Sequence, residues 1–156
     1  ILLQQNMAEY SQNMQGKLKT QLMSFDVMAE ENTRLRNREE FLCKLLIPYI
    51  KPLDSLIKSP KQLTIVQWAE VEENINKLYN NFTLRLKEQF PSFTNNDLQV
   101  CCLIKLRITV SDIAKILNIS PASVSKRKQR IKEQIIKELG DNFDKSQLID
   151  IWIWEY

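Results

Sequence analysis

Apolar residues return at every seventh position along the first third of the chain: Met7, Met14, Met28, Leu35, Leu42 and Tyr49, with Gln21 the one polar member. Leu3, Tyr10 and Leu45 lie on the companion seam, whose intervening positions are Lys17, Ser24, Glu31 and Arg38. Leu18, Leu22 and Phe25 open a displaced seam, as a stutter in the heptad does. This pattern predicts one long helix over residues 1–47 with a single apolar stripe. Such a stripe has to leave water by packing on the rest of the chain or on a second copy. An isolated arm of this kind favours a parallel homodimer, although Gly16 and Gln21 weaken the seam.

Pro48 and Pro52 remove backbone donors and restrict the residues before them, so the long helix should stop or kink near residue 47. A helical connector is expected over 48–91. Its first helix carries Leu53, Leu56 and Ile57 and ends at Ser59-Pro60. Its second opens on Thr64 and Gln67 at capping-box spacing and places Trp68, Val71, Ile75, Leu78, Phe82 and Leu86 at steps of three or four, which predicts a single amphipathic helix running to Pro91. On that stripe Trp68 reads as a core residue rather than a ligand platform.

Residues 92–156 divide further. Thr94 and Asp97 stand at cap spacing ahead of "LQVCCLIKL", and Thr109 and Asp112 stand at the same spacing ahead of Ile113, Ala114, Ile116 and Leu117. Ala114 is small enough to let two crossing helices approach, and "LNIS" supplies a turn with Ile119 as its apolar plug. Ser120 then caps a third helix whose first position is Pro121, where a missing N–H costs nothing. On that helix Val124, Lys128, Ile131 and Ile135 share one face, with Lys128 expected to bury its stem and raise its ammonium to water. Ala122, Ser123, Lys126, Arg127 and Arg130 take the outer face. In the last stretch Asp144 and Gln147 are again at cap spacing, and the dense run Leu148, Ile149, Ile151, Trp152 and Trp154 should dock on the adjoining helices or on a second subunit.

Composition narrows the chemistry. Two glycines and five prolines leave little material for hairpin turns, while Leu, Ile, Lys, Gln and Glu are plentiful, which points to an all-α fold. Histidine is absent, which removes the commonest general base and metal ligand. The three cysteines are odd in number, Cys101 and Cys102 are adjacent, and no Cys-x-x-Cys pair exists. They read as small buried hydrophobes in a reducing compartment. No catalytic residue, metal or cofactor is expected. No apolar run is long enough for a membrane span and no signal-peptide layout opens the chain, so this portion is expected to be soluble, cytoplasmic and free of membrane contact.

The net charge is +3, yet residues 121–137 alone carry +5, from Lys126, Arg127, Lys128, Arg130, Lys132 and Lys137 against Glu133. Concentrated cationic charge on one helix, entered through a tight capped turn, is the layout of a helix-turn-helix in which the second helix meets base edges in double-stranded DNA. Charge alone would support only non-specific binding.

The stretch "FTNNDLQVCCLIKLRITVSDIAKILNISPASVSKRKQRIKEQI" resembles the LuxR/GerE-type helix-turn-helix. The resemblance is carried by Phe93-Thr94, Asp112-Ile113-Ala114, Leu117, Ile119-Ser120, Ser123-Val124, Arg127 and Ile131, over about 45 residues. Where that family usually has Gly between its first two helices this chain has Arg107, so the turn must adopt a conformation a side chain tolerates or take another shape. The stretch ahead of it, from Leu46 to Thr94, resembles the C-terminal portion of Bacteroidetes regulators that combine a tetratricopeptide sensor, often a transmembrane helix, a coiled coil and this DNA-binding end. That resemblance implies an upstream sensor domain and places this fragment on the cytoplasmic side of any membrane.

The resulting expectation is a dimeric transcriptional regulator. Ala122, Ser123, Lys126, Arg127 and Arg130 would read bases, while Thr109, Ser111, Lys115, Ser125 and Lys132 would contact phosphates. A helical protein-interaction module without DNA binding, or a sigma-factor-like polymerase-associated domain, is the alternative.

Overall fold

A computed structural model describes residues 1–156. The chain is all-helical, with eight α-helices and no strand. It divides into two compact units, residues 1–45 and 46–156. No helix is long and apolar enough to cross a membrane.

The first unit is the helix α1 (Leu2–Leu46), which runs through Gly16 without a break. Its stripe is exposed, with Met14, Leu35 and Leu42 each about half accessible. The helix stops where the sequence predicts: Pro48 sits in the first turn of a short 3-10 segment, Ile47–Tyr49.

The second unit begins with α2 (Lys51–Lys58), which Pro52 opens and Ser59-Pro60 ends. Next comes α3 (Ile65–Leu78), whose capping box is complete: the Thr64 hydroxyl accepts from the Gln67 N–H and the Gln67 side chain accepts from the Thr64 N–H. The single helix expected to reach Pro91 is in fact two. α3 ends at Leu78, and α4 (Phe82–Gln89) starts after Asn80 and Asn81, both in the left-handed region at φ 51° and 57°.

Asparagine tolerates that conformation because its short polar side chain substitutes for local backbone partners. The Asn81 N–H donates back to the Asn76 carbonyl at 2.8 Å, and Arg85 donates to the Tyr79 and Asn80 carbonyls left open at the end of α3. Inside the corner, buried Thr83 is fully served. Its N–H donates to Asn76 Oδ1, and its hydroxyl donates to Glu72 and accepts from the Asn76 amide. The three-and-four spacing survives the corner, so Val71, Ile75, Phe82 and Leu86 are all buried although they belong to two helices.

The remaining helices are α5 (Asn95–Lys105), α6 (Val110–Leu117), α7 (Pro121–Leu139) and α8 (Ile149–Glu155), with a 3-10 turn at Gly140–Asn142. One core joins α2–α5 to α6–α8. Phe82, Phe90, Phe93, Leu103, Ile104, Ile113, Ile131 and Ile135 are among its fully buried members. Each contributes about 1.5–3 kcal/mol of burial. An exposed helix pair such as Lys77–Glu73 contributes well under about 1 kcal/mol, so the core decides the stability.

Asp144 does not cap α8. Its carboxylate accepts from the Ser146 hydroxyl and N–H, which holds its pKa below the ordinary value, and α8 starts five residues later behind Leu148 with no side-chain cap. What holds α8 is tertiary. Ile149 and Ile153 are buried, the Trp154 indole donates to the Ile104 carbonyl at 2.9 Å, and Lys105 donates to the carbonyls of Ile153 and Trp154. Trp152 meets Phe90 edge-on at 5.8 Å. The aromatic tail therefore covers the adjoining helices of its own chain.

Candidate nucleic-acid interface

The local geometry of residues 94–139 is set by three capped starts and two left-handed stops. α5 opens on a complete box, with Thr94 Oγ1 accepting from the Asp97 N–H and Asp97 accepting from the Thr94 N–H. It closes with the Ile108 N–H donating to the Leu103 carbonyl and the Arg107 N–H to the Ile104 carbonyl, a pair of bonds that requires a left-handed residue at Arg107. Arg107 supplies it at φ 59°, the position where a glycine would be unstrained. A side chain there costs about 1–2 kcal/mol. Its guanidinium lies over the Trp154 ring at 4.3 Å, a cation–π contact that offsets part of that cost and ties the turn to α8.

α6 starts at Thr109, whose hydroxyl accepts from the Asp112 N–H. Only this half of the expected box forms, because the Asp112 carboxylate faces Lys115 at 3.5 Å instead of the Thr109 N–H. The helix ends at Asn118, left-handed at φ 53°, with the Ile119 N–H returning to the Ala114 carbonyl at 3.1 Å. Ile113, Ala114 and Ile116 are buried, and Ile119 is half-buried against the core, so the plug and the small crossing residue stand where the sequence requires. Three residues, 118–120, separate α6 from α7. Ser120 then caps α7, accepting from the Ser123 N–H at 3.1 Å, with Pro121 in the first turn.

Buried Val124, Ile131 and Ile135 define the inner side of α7. At about 100° per residue Lys126 projects directly away from them, with Ala122 close beside it, while Arg127 and Ser123 lie on one flank and Ser125 and Lys132 on the other. Ala122, Ser125, Lys126 and Arg130 are exposed, and Ser123, Arg127 and Lys132 are half-buried. On α6, Thr109, Ser111 and Lys115 are exposed. All ten residues singled out from the sequence thus reach the surface of the α6–α7 pair.

The cations are not equivalent. Lys128 does not raise its ammonium to water. It is clasped by both oxygens of Asp150 on α8, at 2.9 and 3.0 Å, because α8 docks along the inner side of α7. Arg130 donates through one guanidinium nitrogen at 2.7 Å to Asp97, which is fully buried, and keeps its remaining N–H groups toward solvent. Lys126, Arg127 and Lys137 form no ion pair, while the charge of Lys132 acts on the Asp144 carboxylate and helps to lower its pKa. The Ser123 hydroxyl is shared with Ser120 at 2.8 Å, whereas Ser125 and Ser111 keep theirs open.

Asp97 and Asp150 are the site residues that sequence reasoning missed. Their partners lie 33 and 22 positions away, and helix spacing carries no signal at that range. Cys101 and Cys102 are buried, and burial first, with the Asp97 carboxylate adding to it at Cys101, pushes both thiols far above their ordinary range. They stay protonated and pack as hydrophobes. No cluster of side chains able to hold a metal ion forms.

No protein-family model matches the chain, and neither a curated protein nor a solved structure does.

Proposed function

We propose that residues 46–156 bind double-stranded DNA through α7, as the helix-turn-helix end of a cytoplasmic transcriptional regulator that dimerises through α1. The observation that carries this reading is a division of labour among the cations of one helix. Lys128 is neutralised by Asp150 on the inner side, while Lys126 faces outward and Arg127 lies half-buried on the flank, neither in an ion pair. A charged surface facing only water would gain nothing from such a rigid, doubly capped presentation; a groove walled by phosphates would.

In this reading Ala122, Ser123, Lys126 and Arg127 reach base edges, with Arg130 joining from the flank through the nitrogens that Asp97 leaves open. Thr109, Ser111 and Lys115 on α6, with Ser125 and Lys132 on α7, contact phosphates. The resemblance to LuxR/GerE-type regulators agrees with this assignment and extends it to gene regulation under an upstream sensor.

The test is a binding titration against random-sequence and selected duplexes at two salt concentrations. Affinity should fall steeply with salt, each phosphate-paired lysine contributing about −0.9 to the slope of log K against log salt. Selected duplexes should bind tighter than random ones. A folded dimer that binds no duplex at low salt would instead favour the protein-interaction or polymerase-associated module.

A further inference from the structure

The stripe of α1 is interrupted by polar residues whose positions carry information. After the stutter the a positions of the repeat are Leu18, Phe25, Asn32 and Glu39, and the d positions are Gln21, Met28, Leu35 and Leu42. The apolar members are all about half exposed or more. Asn32 stands in mid-seam, and its side chain makes no hydrogen bond. A carboxamide buried in a helix seam needs a partner of matching chemistry, and in a two-stranded parallel pair the residue facing an a position is the same residue of the other chain.

We infer that α1 pairs with α1 of a second copy, parallel and in register, with Asn32 opposite Asn32. Flanking charges agree. In that register Glu31 meets Arg36 of the other copy, five residues on, and no like-charged pair faces across the flanks. On its own helix Glu31 engages Arg34 through Oε2 alone, so Oε1 is open to the second arginine. Across the seam Glu39 faces Glu39, and Arg38 of each copy lies beside the Glu39 of the other and offsets that repulsion. The antiparallel pairing that would give Asn32 a polar neighbour sets it against Gln21, and it then brings Lys17 against Arg38, a repulsive contact.

The consequence deepens the proposed function and rests on it. A helix of 45 residues is about 68 Å long at about 1.5 Å per residue. Antiparallel arms would release the two DNA-binding units an arm's length apart. Parallel arms release both chains at one end, so that they address adjacent half-sites about one turn of DNA apart.

Cysteine cross-linking of the full chain decides the matter. Asn32→Cys, under mild oxidation, should double the mass on a non-reducing gel. A mixture of Asn32→Cys with Gln21→Cys should give no mixed product beyond the two self-linked dimers. The parent chain, whose three thiols are buried, is the control. Both substitutions fall on an exposed helix face, so the core of the second unit is untouched. A mixed 21–32 dimer without Asn32→Cys self-linkage would overturn the register and orientation, and a monomer by sedimentation would overturn the interface. A DNA titration of the reduced Asn32→Cys protein, run in parallel, reports on the DNA reading separately.

Discussion

Replacing Asp97 by Ala is expected to destabilise residues 46–156 by about 2–3 kcal/mol, lowering Tm by roughly 10 °C. The carboxylate is fully buried and serves two partners: one oxygen accepts from the Thr94 N–H at the start of α5, the other from Arg130 on α7. Losing the cap acceptor costs about 1 kcal/mol. Breaking a wholly buried ion pair costs about 3–5 kcal/mol, but the Arg130 side chain is 53% exposed and rehydrates, so only part of that applies. All three tryptophans, Trp68, Trp152 and Trp154, lie in this unit, so their fluorescence reports its unfolding without interference from α1. A change below about 0.5 kcal/mol, the range of neutral surface substitutions, would show that the Asp97–Arg130 link holds nothing.

The complementary prediction separates binding from folding. Lys126→Glu should leave stability within about 0.5 kcal/mol of the parent, since Lys126 is exposed and unpaired. Its effect on DNA should be large. Each lost base contact is worth about 1–3 kcal/mol, and in a dimer both copies lose it while a carboxylate enters the phosphate-walled groove. Affinity should fall at least about a hundredfold. Arg130→Ala should instead lower affinity and stability together, because it strands the buried Asp97 carboxylate. Lys132→Ala should weaken all sequences alike and flatten the salt dependence by about one unit of slope per copy. Gel-shift titrations paired with fluorescence melts check all three. A Lys126→Glu protein that binds as tightly as the parent would remove Lys126 from the interface.

Local chemistry was largely legible in the sequence. The caps at Thr64, Thr94, Thr109 and Ser120 all form, because a short hydroxyl three residues ahead of a free N–H needs no help from the rest of the fold. The stop before Pro48 follows in the same way from a missing donor. The break between α3 and α4 was hidden because the apolar spacing continues through it; the Asn80-Asn81 pair was the available signal, two adjacent residues that accept positive φ. With only two glycines in the chain, three asparagines and Arg107 take the left-handed corners, which explains how the turn before α6 forms where the resembled family has Gly.

Pairings across the fold were not legible. Lys128 reads from sequence as a snorkelling lysine, and only the docking of α8 places Asp150 against it. Arg130 reads as a groove residue, and only the packing of α5 on α7 assigns one of its nitrogens to Asp97. Likewise the dense apolar tail declared that it would dock but not where, since hydrophobic burial has no direction. The Trp154 indole and the carbonyls at the end of α8 supply that direction through Ile104 and Lys105.

Backbone amide shifts of the labelled protein, recorded as a duplex selected from a random pool is added, test the central claim most directly. The account predicts that the largest changes fall on Ala122, Ser125, Lys126 and Arg127, with smaller ones at Thr109 and Ser111, and that α8 and the α2–α3 pair stay unmoved. Changes centred on α8 or on α2 and α3, with α7 silent while DNA is bound, would contradict it.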